Sequence, residues 1–418
     1  VAGFWTSGLP LPSAAPDTSA PVERLITAEA ALTASPQEDV RITPLVAEGD
    51  VVAQGAPLLT LRHAPEIVIS APMPGRVAHL DLGPGRSLRR LELFHEPGAG
   101  RFDHAIGDTT DPAALRAALL GSGLWRGFRS RPFGHVPLPA ETPAAIFVMA
   151  LDTRPGAPSP ARALEGSEEG FAHGLAALTR LVSGKVYLCQ PPGADLAPRI
   201  DGVTVLRSPE VHPQGLPGIQ IHRHCPARPD RRVWDIAAED VAAIGELLDT
   251  GMLRETRLVA LGGAAARAPR LVRCQPWADL RGLVQGHVRP GPHVLLSGSA
   301  LDGRASRWLR PGDRQITAMT PEEHAPGGHW FLSALRRASR PLPLIPSAAV
   351  DRALGGDMPA MPFLRALSAG DDEAAIRLGA LSLLSEDLAL ADYVTCAEPR
   401  LSHLLAGMLA RIEAEGMA

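Results

Sequence analysis

The chain has 418 residues, too many for one hydrophobic core, so two to four domains are expected. With 45% apolar and 21% charged residues it reads as a folded globular protein, and a net charge of −4 leaves no large positive field over the chain to draw in nucleic acid or anionic lipid. No run of about 18 uncharged apolar residues marks a membrane-spanning helix, and Val1 to Pro12 lack the basic and apolar regions of a signal peptide.

Residues 40–98 read as short strands broken by glycine and proline. Val40-Arg41-Ile42, Val46 to Val52, Pro57 to Leu61, Ile67 to Pro72 and Pro74 to Val77 carry them, with turns at Gly49, Gly55 and Gly75. Residues 110–255 alternate strand and helix. Ala145 to Ala150 is a buried-strand run ending at Asp152-Thr153. Ser167 is placed to cap a helix whose Glu168 and Glu169 face the positive end of the dipole, with Phe171, Leu175, Leu178 and Val182 at helical spacing. Gly184 stops it. Lys185 to Cys189 and Val203 to Leu206 are strands, and Ala237 to Leu248 is a helix ending at Gly251.

Leu258 to Leu261, Leu271 to Arg273 and Val294 to Ser297 are strand-like, with a short helix from Trp277 to Val284 between the last two. Arg336 to Pro346, with three prolines, reads as a linker. Beyond it the chain reads as helical: Ser385 is placed to cap one helix, and Arg400 to Glu415 carries a stripe of Leu401, Leu404, Leu405, Met408, Leu409 and Ile412, read as core.

The fold class expected is a multidomain α/β protein. Its parts are an N-terminal segment and barrel-sandwich over 1–110, a Rossmann-like α/β domain over 111–255, a β-grasp-like domain over 256–345 and a helical domain over 346–418.

Three motifs invite chemistry. Leu261 to Ala266, with Gly262 and Gly263, is the best glycine-rich loop, but G-x-G-x-x-G spacing is absent and an ordinary turn is the simpler reading. His222 and His224 stand at i, i+2, which on a strand would share a face for a metal; without a second spaced pair, a surface loop or satisfied polar strand is simpler. The four cysteines, Cys189, Cys225, Cys274 and Cys396, are dispersed, which favours free thiols over disulfides or an iron–sulfur cluster.

Trp125 to Pro137 is the richest stretch. Trp125, Phe128 and Phe133 supply flat apolar surface, while Arg129, Arg131 and His135 supply donors. That set suits a quinone ring and its carbonyls, and it equally suits an arginine-rich connection between domains.

Residues 46–77 resemble a biotinyl/lipoyl-like barrel-sandwich. In carrier domains of that fold a hairpin lysine takes the cofactor. Here the turn is Arg62-His63-Ala64-Pro65-Glu66, and the chain's only lysine is Lys185, so amide attachment in this domain is chemically excluded. Seven further strings, in family order, resemble the A subunit of the sodium-translocating NADH:quinone reductase. They are SGLWRGFRSRPFGHVP from Ser122, AIFVMALDTRP from Ala145, GKVYLC from Gly184, VHPQGLPG from Val211, APRLVR from Ala268, LLSGSALDG from Leu295 and SEDLALADYVTC from Ser385. The resemblance implies a peripheral subunit on the cytoplasmic side of the bacterial inner membrane, in a complex coupling NADH oxidation by ubiquinone to sodium export. It implies no covalent cofactor in this chain, with FAD, FMN, riboflavin and [2Fe–2S] in partner subunits. It implies contact with the membrane-embedded B subunit and the C subunit, and places the quinone or inhibitor region near Trp125 to Pro137. Two places depart from the pattern: the Gly3 to Pro12 start, and a region from Glu322 to Pro346 that is shorter than usual. The alternative is a cofactor-free scaffold outside any sodium pump. An Rnf-type C subunit would need tandem cysteine clusters that this chain lacks.

Overall fold

The computed structural model describes residues 8–11, 16, 20–34, 40–321 and 345–416. Most of the proline-rich stretch Arg336 to Pro346, and most of the Gly3 to Pro12 start, lie outside the described residues.

The first strands are β1 (Glu23–Arg24), β2 (Glu29–Thr33), β3 (Ile42–Pro44), β4 (Val51–Val52), β5 (Pro57–Leu61), β6 (Ala64–Ser70), β7 (Gly75–Leu82) and β8 (Leu88–His95). They form a four-stranded sheet, β2-β8-β7-β4, and a three-stranded sheet, β3-β5-β6, that enclose Leu58, Leu59, Ile67, Ile69, Leu91 and Leu93. The sequence pattern does not show β8, because its apolar residues are embedded in charged ones, as in Leu-Arg-Arg-Leu-Glu-Leu, or β2, because Glu-Ala-Ala-Leu favours helix. The hairpin expected to extend over Arg62 to Glu66 is tighter. Only Arg62 and His63 turn, and β6 begins at Ala64.

Next come α1 (Pro112–Ser122), β9 (Arg129–Arg131), β10 (Ala145–Met149), α2 (Pro160–Leu164), α3 (Glu168–Leu178), β11 (Lys185–Gln190), β12 (Val203–Arg207), α4 (Pro217–His224), β13 (Val233–Ala237) and α5 (Ala238–Thr250). β12, β11, β10 and β13 are parallel in that order, and β9 closes the edge antiparallel to β13. Every residue of β10 is buried, as its unbroken apolar run predicts. Gly251 ends α5 in the left-handed conformation. Ser167 starts α3 but makes no capping bond; its hydroxyl instead accepts from Arg254 at 2.7 Å. The barrel-sandwich and the parallel sheet share one core, with Leu115, Leu119 and Trp125 between them. Ser70 Oγ donates to the Ser122 carbonyl at 2.7 Å across this junction.

β14 (Arg257–Gly262), β15 (Arg270–Cys274), α6 (Leu280–Val284), β16 (Val294–Ser297), β17 (Arg304–Ala305) and β18 (Gln315–Met319) follow. The strands assemble as β1-β15-β14-β18-β16-β17, so the N-terminal β1 belongs to this sheet. The helix expected from Trp277 begins three residues later. Trp277 has a positive φ of 62°, which no helix accommodates, and Asp279 caps α6 through the Arg281 N–H. Among the described residues the remaining helices are Ala348–Ala353, Ala360–Ala369, Asp372–Arg377, Ala389–Thr395 and Leu401–Ala414. Leu401, Leu405, Met408, Leu409 and Ile412 are buried in their shared core, with Leu404 at its margin, as the stripe predicts. Ser385 opens a 3-10 turn rather than capping a helix; the cap is Asp387, whose carboxylate accepts from the Leu384 N–H at 2.7 Å.

α3 and α5 cross through glycines. A Cβ on Gly245 would lie 1.8 Å from the Gly170 carbonyl oxygen, and one on Gly174 would lie 2.0 Å from that of Val241. Alanine favours a helix by about 1 kcal/mol over glycine, but overpacking costs about 1–3 kcal/mol or more. Gly245→Ala is therefore expected to lower Tm by several degrees in thermal unfolding. Gly407→Ala, whose Cβ would meet nothing closer than 3.9 Å, is expected to raise it slightly.

Candidate functional site

Gly123 in the left-handed conformation turns the chain out of α1 and into a 3-10 turn over Leu124–Gly127, which leads to β9. This geometry places Trp125 and Phe128 inward. Both are fully buried with Trp234 of β13, their ring centroids 5.2–5.5 Å apart in edge-to-face or tilted contacts. Trp125 Nε1 donates to the Pro137 carbonyl at 2.8 Å, and the Arg116 guanidinium lies 4.9 Å over its ring.

Arg129 and Arg131 project from the same face of β9, two residues apart. Opposite them on β13 stands Asp235, in register with Arg129. Asp235 Oδ2 accepts from Arg129 Nε at 3.0 Å and Nη2 at 2.8 Å, while Oδ1 accepts from Arg131 Nε at 3.0 Å. The far ends of both arginines reach the helical region. Arg129 Nη1 donates to Glu386 at 2.6 Å, and Arg131 Nη1 to Asp387 Oδ2 at 3.2 Å. Arg131, with 0% of its side chain exposed, is among the largest fully buried side chains. Asp387 also accepts from the Gly218 N–H, in the first turn of α4, at 3.2 Å. A Cβ on Gly218 would lie 2.2 Å from that carboxylate, so only glycine fits there.

The tip of the segment differs. Phe133 is half-buried against the helical core with Arg232 5.4 Å over its ring, and the exposed His135 pairs with Glu413 of the last helix at 3.0 Å. The structure thus brings all six candidate residues into one neighbourhood, but to different ends. Trp125, Phe128 and Arg131 are interior. Arg129 is paired at both ends and partly exposed. Phe133 and His135 face outward.

A second ion lattice joins α5 to the six-stranded sheet. Glu239, almost fully buried, accepts from the Leu258 N–H at 2.8 Å and Arg314 Nε at 3.2 Å, with Arg254 and Arg273 at 3.8 and 3.6 Å. Arg314 also holds Asp240 at 2.7 Å. Beside it, Arg154 at the carboxyl end of β10 pairs with Asp152 at 2.6 Å and Asp302 at 3.5 Å. Doubly wound sheets take ligands at the carboxyl ends of their strands. Here the chain's own side chains fill that position beyond β10.

The acidic partners Asp235, Glu239, Glu386 and Asp387 escape the sequence reading. Arg131 lies 104 residues from Asp235 and 256 from Asp387, and a single chain carries no signal at that separation. The excess of arginine in Arg126 to Arg131 is the only hint.

The remaining motifs resolve structurally. His222 and His224 lie on α4, not on a strand, because Pro217 starts a helix there. At i, i+2 a helix turns them about 200° apart, so they do not share a face. The Gly262-Gly263 loop leads into bridged extended chain rather than a helix, and two of its N–H groups are already used, Ala265 donating to Ala318 and Ala266 to Gly263. Among the described residues no group of three or more His, Cys, Asp or Glu is placed to hold a metal ion. All four cysteines are free; burial pushes the Cys274 thiol up to about 12.

Fold and site together define a multidomain α/β chain whose parts are joined by buried ion pairs. Residues 7–95 match the NqrA N-terminal barrel-sandwich hybrid domain, and residues 110–253 the NqrA second alpha/beta domain. The chain is similar to the A subunit of the Na(+)-translocating NADH-quinone reductase of Shewanella amazonensis, 33% identical over 90% of this chain and 91% of that one. Similar relatives in Marinomonas sp. and Pseudomonas aeruginosa PAO1 are 33% and 34% identical, over 98% of this chain and 99% of theirs. The chain belongs to this family, the A subunits of Na(+)-translocating NADH-quinone reductases. A solved NAD+-reducing [NiFe]-hydrogenase is 12% identical with a TM-score of 0.38 over 74% of this chain and 67% of that one, and nothing rests on that likeness.

The adjacent carboxyls of Glu386 and Asp387 titrate together. Burial opposes charge on both. Arg129 and Arg131 overcome this at Glu386 and hold it down at about 2; burial and the neighbouring Glu386 charge push Asp387 up to about 6. A depressed carboxyl contributes stability that is present above its unfolded value of 4.5 and lost as pH falls toward about 2. Glu386→Gln is therefore expected to lower Tm relative to the parent at neutral pH. The difference should shrink as pH falls from about 4.5 toward about 2, measured by thermal unfolding across that range.

Proposed function

We propose that this chain is the A subunit of a sodium-translocating NADH:quinone reductase, working as a brace within that translocase. The observation that carries the reading is similarity to named A subunits along nearly the full length of both chains. In this reading the complex passes electrons from NADH to ubiquinone and exports sodium. The chain sits on the cytoplasmic side of the bacterial inner membrane and contacts the membrane-embedded B subunit and the C subunit. FAD, FMN, riboflavin and [2Fe–2S] reside in partner subunits, and this chain is not catalytic by itself. Among the described residues no helix is long and apolar enough to cross a membrane, which fits attachment through partners. We read the parallel sheet as Rossmann-like and the mixed six-stranded sheet as β-grasp-like, with domain divisions near 110, 255 and 345.

Two ion lattices, each tying elements far apart in sequence, support a bracing role: such a chain holds its surfaces in fixed relation. The quinone would be bordered by the outward tip of the β9 hairpin, where Phe133 offers a ring edge and His135 and the exposed side of Arg129 offer donors. Trp125, Phe128 and Arg131 would act there only by holding the hairpin, because their surfaces are already covered.

The test is kinetic, in the assembled complex. Loss of one donor or ring contact is expected to cost about 1–3 kcal/mol, roughly a five- to 150-fold rise in apparent quinone KM. Phe133→Ala and His135→Ala should show it, while NADH oxidation by an artificial acceptor persists. Normal quinone KM and inhibitor sensitivity in both assembled variants would leave the segment a brace alone.

A further inference from the structure

Charge is distributed very unevenly along this chain. Between residues 256 and 320 ten arginines stand against three aspartates, a net charge of +7; the whole chain totals −4, so the remainder carries −11. Part of that excess is neutralised by acids from other elements. Arg314 and Arg273 meet Glu239, Arg270 meets Glu23, and Arg307 meets Glu29. Among the described residues no carboxylate pairs with Arg267, Arg289 or Arg304.

Part of the unneutralised charge, Arg289 with Arg267 nearby, lies at one place. Beyond α6 the chain makes an exposed loop around Gly286 and Gly291, and between that loop and β16 lies an open groove of about 330 Å³. Arg281, Arg289 and His293 stand around it, with Val284, Val288 and Leu295 among its apolar walls. Arg281 shares its one acidic partner, Asp279, with Arg307. Arg267 extends the basic surface, its Nε donating to the Val288 carbonyl at 3.3 Å. His287, next along the loop, lies near Arg270 and Arg267, and Glu23 is the acid facing it.

We propose that this groove seats the phosphate headgroups of an anionic lipid bilayer, giving the chain a direct membrane contact besides those made through its partners. Guanidinium groups match phosphate oxygens in two-point geometry, and arginine is less strongly hydrated than lysine, so it enters the headgroup layer at lower cost. Val288 and Leu295, between the basic heads, give the groove the mixed character of a surface meeting the headgroup and acyl boundary. An acidic protein segment would be served by the charge alone and would leave these apolar walls uncovered. The inference rests on the reading above that the chain works at a membrane. Each basic residue near an anionic surface contributes about fivefold in affinity, so removing two should weaken binding about 25-fold, with the interaction falling as salt rises.

The experiment floats the purified full chain with vesicles of phosphatidylcholine, with and without a third of phosphatidylglycerol. The parent should float only with the anionic vesicles, in millimolar inorganic phosphate as well as without it. Arg281→Gln combined with Arg289→Gln should lose that retention about 25-fold while keeping the parent's Tm. Arg377→Gln, on an exposed arginine of another element, should float like the parent. Equal flotation by the double variant, no preference for phosphatidylglycerol, or displacement by phosphate would each overturn the inference; the last would make the groove a soluble-phosphate site. A double variant that floats normally but loses one of its partner proteins would overturn it in favour of an acidic protein segment. Failure of the parent chain to bring down membrane subunits would count against the complex reading alone.

Discussion

A fully buried guanidinium is the constraint around which this chain is arranged. Removing an arginine from water costs several kcal/mol, and that cost is offset only if carboxylates meet it with good geometry. Arg131 meets two, Asp235 from the neighbouring strand and Asp387 from the helical region. Neither can shift without stranding a charge. Asp387 in turn holds the first turn of α4 through Gly218 and its own helix start through Leu384. One side chain therefore fixes the edge of the parallel sheet, one of its connecting helices and the C-terminal helices. The apolar contacts of Leu216 and Ile219 with that helical core add area to the same junction.

The lattice around Glu239 does comparable work at the other side of the sheet. Arg314 approaches from the six-stranded sheet, and Arg254 from the turn after α5. Between the two lattices the carboxyl end of β10 is filled by Arg154 and its carboxylates. The end of the parallel sheet where a crevice could open is here committed to joining parts. Buried ion pairs give such a joint specificity of position more than strength, since apolar pairs of the same volume can be as stable. That suits the bracing role proposed above.

How much of this is legible in sequence follows from the range of the signals. β10, α5 and the last helix are plain because their patterns are local: an unbroken apolar run, a glycine stop and a stripe at helical spacing. The barrel-sandwich strands around Gly49 and Gly55 are plain for the same reason. β8 and β13 are not, because charged residues interrupt their apolar pattern, and β2 is not, because Glu-Ala-Ala-Leu is rich in helix-favouring residues. His222 and His224 mislead, since a short helix opened by Pro217 replaces the strand on which they would have shared a face. At the candidate site the aromatic and arginine residues are visible, but what they do is set by Asp235, Glu386 and Asp387. A segment rich in arginine and tryptophan looks the same whether it waits for a ligand or has already met its partners elsewhere in the chain.

Arg131 and Asp387 act as one unit holding the helical region to the sheet. A double-mutant cycle of Arg131→Met and Asp387→Leu, followed by denaturant unfolding, tests it most directly. Arg131→Met strips Asp387 of its guanidinium and Asp387→Leu takes one of the two carboxylates from Arg131, and each should cost about 3–5 kcal/mol. The double change removes both charges and should cost much less than the sum, with a coupling of about 1–3 kcal/mol. Additive losses, with no coupling beyond about 0.5 kcal/mol, would contradict the account.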